Sequence, residues 1–92
     1  MEKQAVITKV VEAVAQVQEA SGRQNSGIRS STCPVRDVEG FDSLSGVEAT
    51  VILSESLGVD LPDNTFVSKD GRRALSVTEI ASNILVGEGA QQ

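Results

Sequence analysis

Few residues in this chain are equipped for covalent chemistry. Its 92 residues include no histidine, tryptophan or tyrosine and a single cysteine, Cys33. Neither a Ser/His or Cys/His nucleophile pair nor a metal cluster can be assembled from such a set. What stands out is a hydroxyl, that of Ser43. It follows Asp42, whose carboxylate suits an N-cap because it can accept from the unpaired amides of a first helical turn. Ser43 then becomes the first exposed hydroxyl of a helix, with Leu44 behind it. A phosphate ester on that hydroxyl would lie beside free amides and the positive end of the helix dipole. The chain is expected to be no enzyme, with no catalytic residue and no metal ligand, and its function is expected to sit on Ser43.

The elements that must position Ser43 read as helices. Val6, Ile7, Val10, Val11, Val14 and Val17 recur at three- and four-residue steps, the helical period, and predict a helix over 3–20 ended by Gly22. Residues 21–41 form a long polar loop, with Pro34 excluding a helix interior and Ile28, Val35, Val38 and Phe41 spaced as if pinning it to the core. A second long helix is expected over 43–57, with Leu44, Val47, Val51, Ile52, Leu53 and Leu57 as its apolar positions and Gly58 as its stop. Gly46 should weaken its first turn by about 1 kcal/mol relative to Ala. A short helix is expected over 63–67, with Pro62 and Asp63 at its start, followed by a loop through 68–74. Ser76-Val77-Thr78-Glu79 matches a capping box and predicts a helix over 77–86 with an apolar stripe, leaving 87–92 as a disordered tail. The fold class is all-α: one domain over 1–92, a small bundle of three long helices plus one short one.

Composition narrows the partners. A chain this short buries a small core of modest stability, and its apolar residues are mainly Val, Ile, Leu and Ala with two Phe. Such an aliphatic core can admit a flexible apolar guest. The net charge of −5 argues against nucleic acid, whose phosphates select basic surfaces. Between Arg36 and Lys69 there is no Lys or Arg, while Asp37, Glu39, Asp42, Glu48, Glu55, Asp60 and Asp63 all fall there. That window should steer basic partners toward Ser43. A lone Cys33, read as an ordinary loop thiol, fits a reducing compartment. The charged residues that interrupt the first helix leave neither a signal-peptide core nor a membrane span. A cytoplasmic, monomeric protein is expected.

Asp42-Ser43-Leu44 resembles the Asp-Ser-Leu signature of acyl carrier proteins. The similarity runs from Phe41 through Val47-Glu48 and the Leu57-Gly58-Val59-Asp60-Leu61-Pro62-Asp63 segment, then resumes from Leu75 to Leu85, about half the chain. The resemblance implies 4′-phosphopantetheine on Ser43, installed from coenzyme A by a phosphopantetheinyl transferase. It implies acyl cargo held as a thioester for fatty acid or polyketide-type biosynthesis. It also implies that Glu48 and Glu55, with Val47, dock basic patches of acyl-processing enzymes, and that Val51, Leu61, Phe66 and Ile80 are candidates for lining an acyl cleft, though each reads equally well as plain core. Ser45, Gly46, Ser54 and Ser56 stand where many relatives carry acids or bulkier residues, and 68–74 is longer and more basic than usual. Those departures keep open a peptidyl or aminoacyl carrier of a secondary-metabolite or cell-envelope pathway. A helical interaction module without a prosthetic group, using the acidic window alone, is the reading from another class.

Overall fold

The computed structural model describes residues 2–22, 27–68 and 70–89, of which 87–89 by their backbone only. Four helices follow in order: α1 (Lys3–Ala20), α2 (Pro34–Asp37), α3 (Ser43–Leu57) and α4 (Val77–Gly89). The described residues are helical, without a named strand, and no helix among them is long and apolar enough to cross a membrane. The centre of the bundle is α1, against which both α3 and α4 pack. Its Val6, Val10, Ala13, Val14 and Val17 are buried and meet Leu53 of α3 and Val77, Ile80, Ala81 and Ile84 of α4 in one aliphatic cluster. The helical period overrides the strand preference of so many valines because only a helix gathers these positions on one face.

The ends of the helices are fixed locally. Gly58 takes φ +70° at the end of α3 and the Val59 amide returns 3.2 Å to the Ser54 carbonyl, closing the helix in the Schellman manner. The Ser54 hydroxyl donates to the Val59 carbonyl, sealing the same corner. At α4 the capping box forms: the Ser76 amide donates to Glu79 Oε1 at 2.9 Å and the Glu79 amide to Ser76 Oγ at 3.1 Å.

The long first connection is not structureless. Pro34 is excluded from helix interiors but is well placed at the first helical position, and α2 starts there. Asp37 reaches back to accept from the Cys33 amide at 2.8 Å and holds the turn closed. Cys33 stands at this N-cap and is buried. Ile28, Val35 and Val38 pack on the core and Phe41 is part of it, as their spacing suggested. A further anchor is polar. The Ser30 and Thr32 carbonyls accept from the amides of Thr78 (3.0 Å) and Val77 (2.9 Å), using first-turn donors of α4 that have no partner inside their own helix.

Four expectations change. The short helix placed over 63–67 is a turn: Thr65 and Val67 donate to the carbonyls three residues back, at Pro62 and Asn64. The Thr65 hydroxyl takes the same Pro62 carbonyl at 2.5 Å, the kind of local bond that competes with helix. The one short helix of the bundle is α2 instead. The loop over 68–74 is pinched by an antiparallel bridge between Val67 and Ala74, with the Ser68 amide 2.8 Å from the Arg73 carbonyl and Gly71 at φ +72°. Of the tail expected over 87–92, residues 87–89 belong to α4 instead; residues 90–92 lie outside the described residues. On α3, the core-facing positions are Gly46, Ala49, Thr50 and Leu53, while Leu44 (66% exposed) and Val51 (52% exposed) face outward.

Candidate functional site

Ser43 is the first residue of α3 and is exposed. Asp42 caps the helix as the sequence predicted: its Oδ1 accepts from the Ser45 amide at 2.9 Å and from the Ser45 hydroxyl at 3.1 Å. Its backbone carbonyl takes the Gly46 amide at 3.0 Å. The Ser45 amide, with the Ser45 hydroxyl beside it, holds the Asp42 carboxyl below the ordinary aspartate range, because both bonds favour the charged form. Of the first-turn amides of α3 that lack a helical partner, the Asp42 side chain engages that of Ser45, while the Gly46 amide makes the regular first helical bond to the Asp42 carbonyl.

Immediately before this cap, Phe41 is buried against Phe66, with ring centroids 5.8 Å apart and planes tilted by 47°. This fixes the entry of the chain into α3. Below the serine opens a cleft of about 210 Å³ lined by Val35, Ser43, Gly46, Val47, Asp63, Asn64, Phe66 and Val67. Gly46 lines this cleft and faces Phe66 and Val35. A Cβ built on it would stand 3.4 Å from Phe66 Cβ and 3.7 Å from Val35 Cγ2, so α3 comes close to both. A methyl group would therefore stand there in ordinary contact, and packing does not require the glycine.

A second, larger cavity of about 610 Å³ lies between the 59–68 segment, the Val67–Ala74 bridge and α4. Leu61, Leu75, Ile84 and Val86 give it apolar walls, while Asn83 and Arg73 bring polar groups to it. Arg73 pairs with Glu79 at 3.0 Å across the surface, which ties the bridged loop to the α4 cap.

The predicted residues distribute unevenly over this geometry. Ser43, Val47 and Phe66 line the smaller cleft, and Asp42 caps α3 next to Ser43. Leu44 projects beside it into solvent. Leu61 lines the larger cavity instead. Ile80 is fully buried in the central cluster and borders neither space. Val51 is no cleft residue, since it lies on the outer face of α3. That face also carries Glu48 and Glu55, both exposed. Sequence reasoning missed Val35, Asn64 and Val67 as neighbours of Ser43. Val35 comes from α2, and Asn64 and Val67 from the turn and bridge that follow α3, so no one stretch of sequence announces their meeting. Compared with protein-family models, with curated proteins and with solved structures, this chain matches none.

Proposed function

We propose that this chain is a carrier protein of the acyl carrier type, in which Ser43 bears 4′-phosphopantetheine transferred from coenzyme A. The observation that carries this reading is an exposed serine at the first position of α3, directly after an aspartate cap and opening on a mostly apolar cleft. The residues fit the group. An exposed hydroxyl on a capped helix is reachable by another enzyme, and the cleft walls of Val35, Val47, Phe66 and Val67 suit an aliphatic guest.

In the installation step Ser43 Oγ bonds to the phosphorus next to the pantetheine of coenzyme A. The bond from that phosphorus to the bridging oxygen breaks, the nucleotide half departs with its own phosphate, and the serine proton passes to the transferase. When bound, the group supplies a terminal thiol on which an acyl chain is held as a thioester, activated for transfer in fatty acid or polyketide-type biosynthesis. The protein's own residues do the rest. Asp42 holds the start of α3, the Phe41–Phe66 pair anchors it, and the outer face of α3 offers Leu44 and Val51 as apolar contacts flanked by Glu48 and Glu55 for basic partner enzymes.

The test is intact mass after incubation with a broad-specificity phosphopantetheinyl transferase and coenzyme A. The expected result is a gain of one phosphopantetheine per chain. No gain, under conditions that load a control carrier, would leave a helical interaction module as the better reading.

A further inference from the structure

Gln18, in the last turn of α1, is 1% exposed. Its Nε2 donates to the Glu39 carbonyl at 2.9 Å, while its Oε1 is buried with no hydrogen-bond partner among the described residues. An unpaired buried acceptor is costly, so one end of this carboxamide is satisfied and the other is not. The bond it makes lands on a turn. The Phe41 amide donates to the Val38 carbonyl at 3.1 Å. Gly40 stands at φ +75° and Glu39 has no positive φ, which makes this a type II turn with Glu39 and Gly40 at its centre. Types II and I differ by a rotation of the central peptide plane, and the bond between the outer residues is compatible with both. The third residue must then change the sign of φ, which glycine does at little cost.

Rotation exchanges what Gln18 meets. In a trans peptide the C=O and N–H point opposite ways. A flip of the 39–40 peptide therefore turns the Glu39 carbonyl outward and brings the Gly40 N–H inward, where Oε1 accepts from it once the carboxamide has turned over. Either state pairs one end of Gln18 and leaves the other, so hydrogen bonding to Gln18 does not by itself choose between them. We propose that Gln18 and the 39–40 peptide form a two-state element at the entry to α3, with either the Glu39 carbonyl or the Gly40 amide turned inward. The choice is made from outside. Glu39 is exposed and lies in the stretch between Arg36 and Lys69 that holds no Lys or Arg. In the flipped state its carbonyl adds an acceptor to that acidic surface. A partner that binds one of two states better shifts the population toward it, so a guanidinium-bearing partner draws the turn to the flipped state, two residues ahead of the Asp42 cap. Only the consequence for Ser43 rests on the carrier reading.

Relaxation-dispersion NMR on the unmodified chain tests the element with no transferase present. Microsecond-to-millisecond exchange is expected at the Gly40 and Phe41 amides and at the Gln18 carboxamide, and not at Val10 or Leu53 in the core. Gly40→Ala, at an exposed position, disfavours positive φ and should trap the flipped state. The exchange then disappears, the amide at position 40 becomes protected from solvent, the Gln18 side-chain resonances move and the melting temperature hardly changes. A short oligoarginine peptide at low salt should raise the flipped population in the parent and leave the turn of Gly40→Ala as it was. Static Gly40 and Gln18 resonances in the parent, a Gly40→Ala variant that loses stability with its Gln18 resonances unmoved, or a parent population indifferent to the peptide would each overturn the proposal. Failure of Ser43 to accept phosphopantetheine would sink the carrier reading and leave these measurements untouched.

Discussion

Phe41 and Phe66, the two aromatic residues of the chain, meet at 5.8 Å between ring centroids one residue before the cap of α3. A helix entered by an apolar residue before its cap commonly packs that residue on the fourth helical position. Here the fourth position is Gly46, and Phe66, from the turn over 63–66, occupies the adjacent space. The orientation of Ser43 thus depends on a residue more than twenty positions away.

Phe66→Ala should therefore cost about 3–5 kcal/mol, the usual range for emptying a buried phenylalanine site, and should loosen the start of α3. Phe66→Leu should cost much less. Denaturant unfolding gives both values, and amide exchange at Ser45 and Gly46 should rise more in the alanine variant. Equal costs for the two variants would mean that Phe66 acts as generic core.

Gly46→Ala is predicted to stabilise. Replacing a helical glycine gains about 1 kcal/mol, and the new methyl group meets Phe66 and Val35 at 3.4 and 3.7 Å, ordinary contact distances. A rise in melting temperature of a few degrees is expected, together with a smaller cleft beside Ser43. A fall in melting temperature would show that the methyl group is not accommodated beside Phe66 and Val35.

Acid should unfold the protein through its capping carboxylates. Asp42 is held below its ordinary range by the Ser45 amide, Asp37 by the Arg36 guanidinium, Asp70 by the Ser68 hydroxyl and Glu79 by the Ser76 amide. A folded-state value below the unfolded one gives stability that is complete above the unfolded value, about 4, and lost as pH falls through the folded value. Stability should be flat from pH 7 to about 5 and drop below about 4. Asp42→Asn keeps a good cap but cannot titrate, so its loss of stability on acidification should be shallower. An unchanged acid slope in that variant would remove Asp42 from the account.

The acidic outer face of α3 should act on rate. Glu48→Lys and Glu55→Lys are expected to slow modification of Ser43 severalfold at low ionic strength, and the difference should shrink near 1 M salt, where screening extends over about 3 Å. Rates that match the parent at every salt concentration would mark these glutamates as an ordinary solvated face.

What the sequence revealed were the locally determined features. The valine period of α1, the Asp42 cap, the Gly58 stop and the Ser76–Glu79 box each depend on residues within a turn of one another, and all appear in place. The burial face of α3 is hard to read from sequence because its apolar residues are spread around the helix, with serines, Thr50, Glu48 and Glu55 between them. Thr50 turns inward with its hydroxyl bonded 2.7 Å to the Gly46 carbonyl, while Val51 turns outward. The Val67–Ala74 bridge spans the Asp70-Gly71 turn signal, whose flanks lack the alternation of a hairpin, and the docking of Ser30 and Thr32 on α4 joins segments that no short-range pattern pairs. The site was legible at Ser43 and Asp42 and illegible at Asn64 and Val67 for the same reason.

The most direct measurement is the location of the prosthetic group after enzymatic loading. Tandem mass spectrometry of the transferase product should place a single phosphopantetheine on Ser43, and Ser43→Ala should remain helical with an unchanged melting curve and gain no mass. A group found on Ser45, Ser54 or Ser56, or loading that persists in Ser43→Ala, would contradict the account.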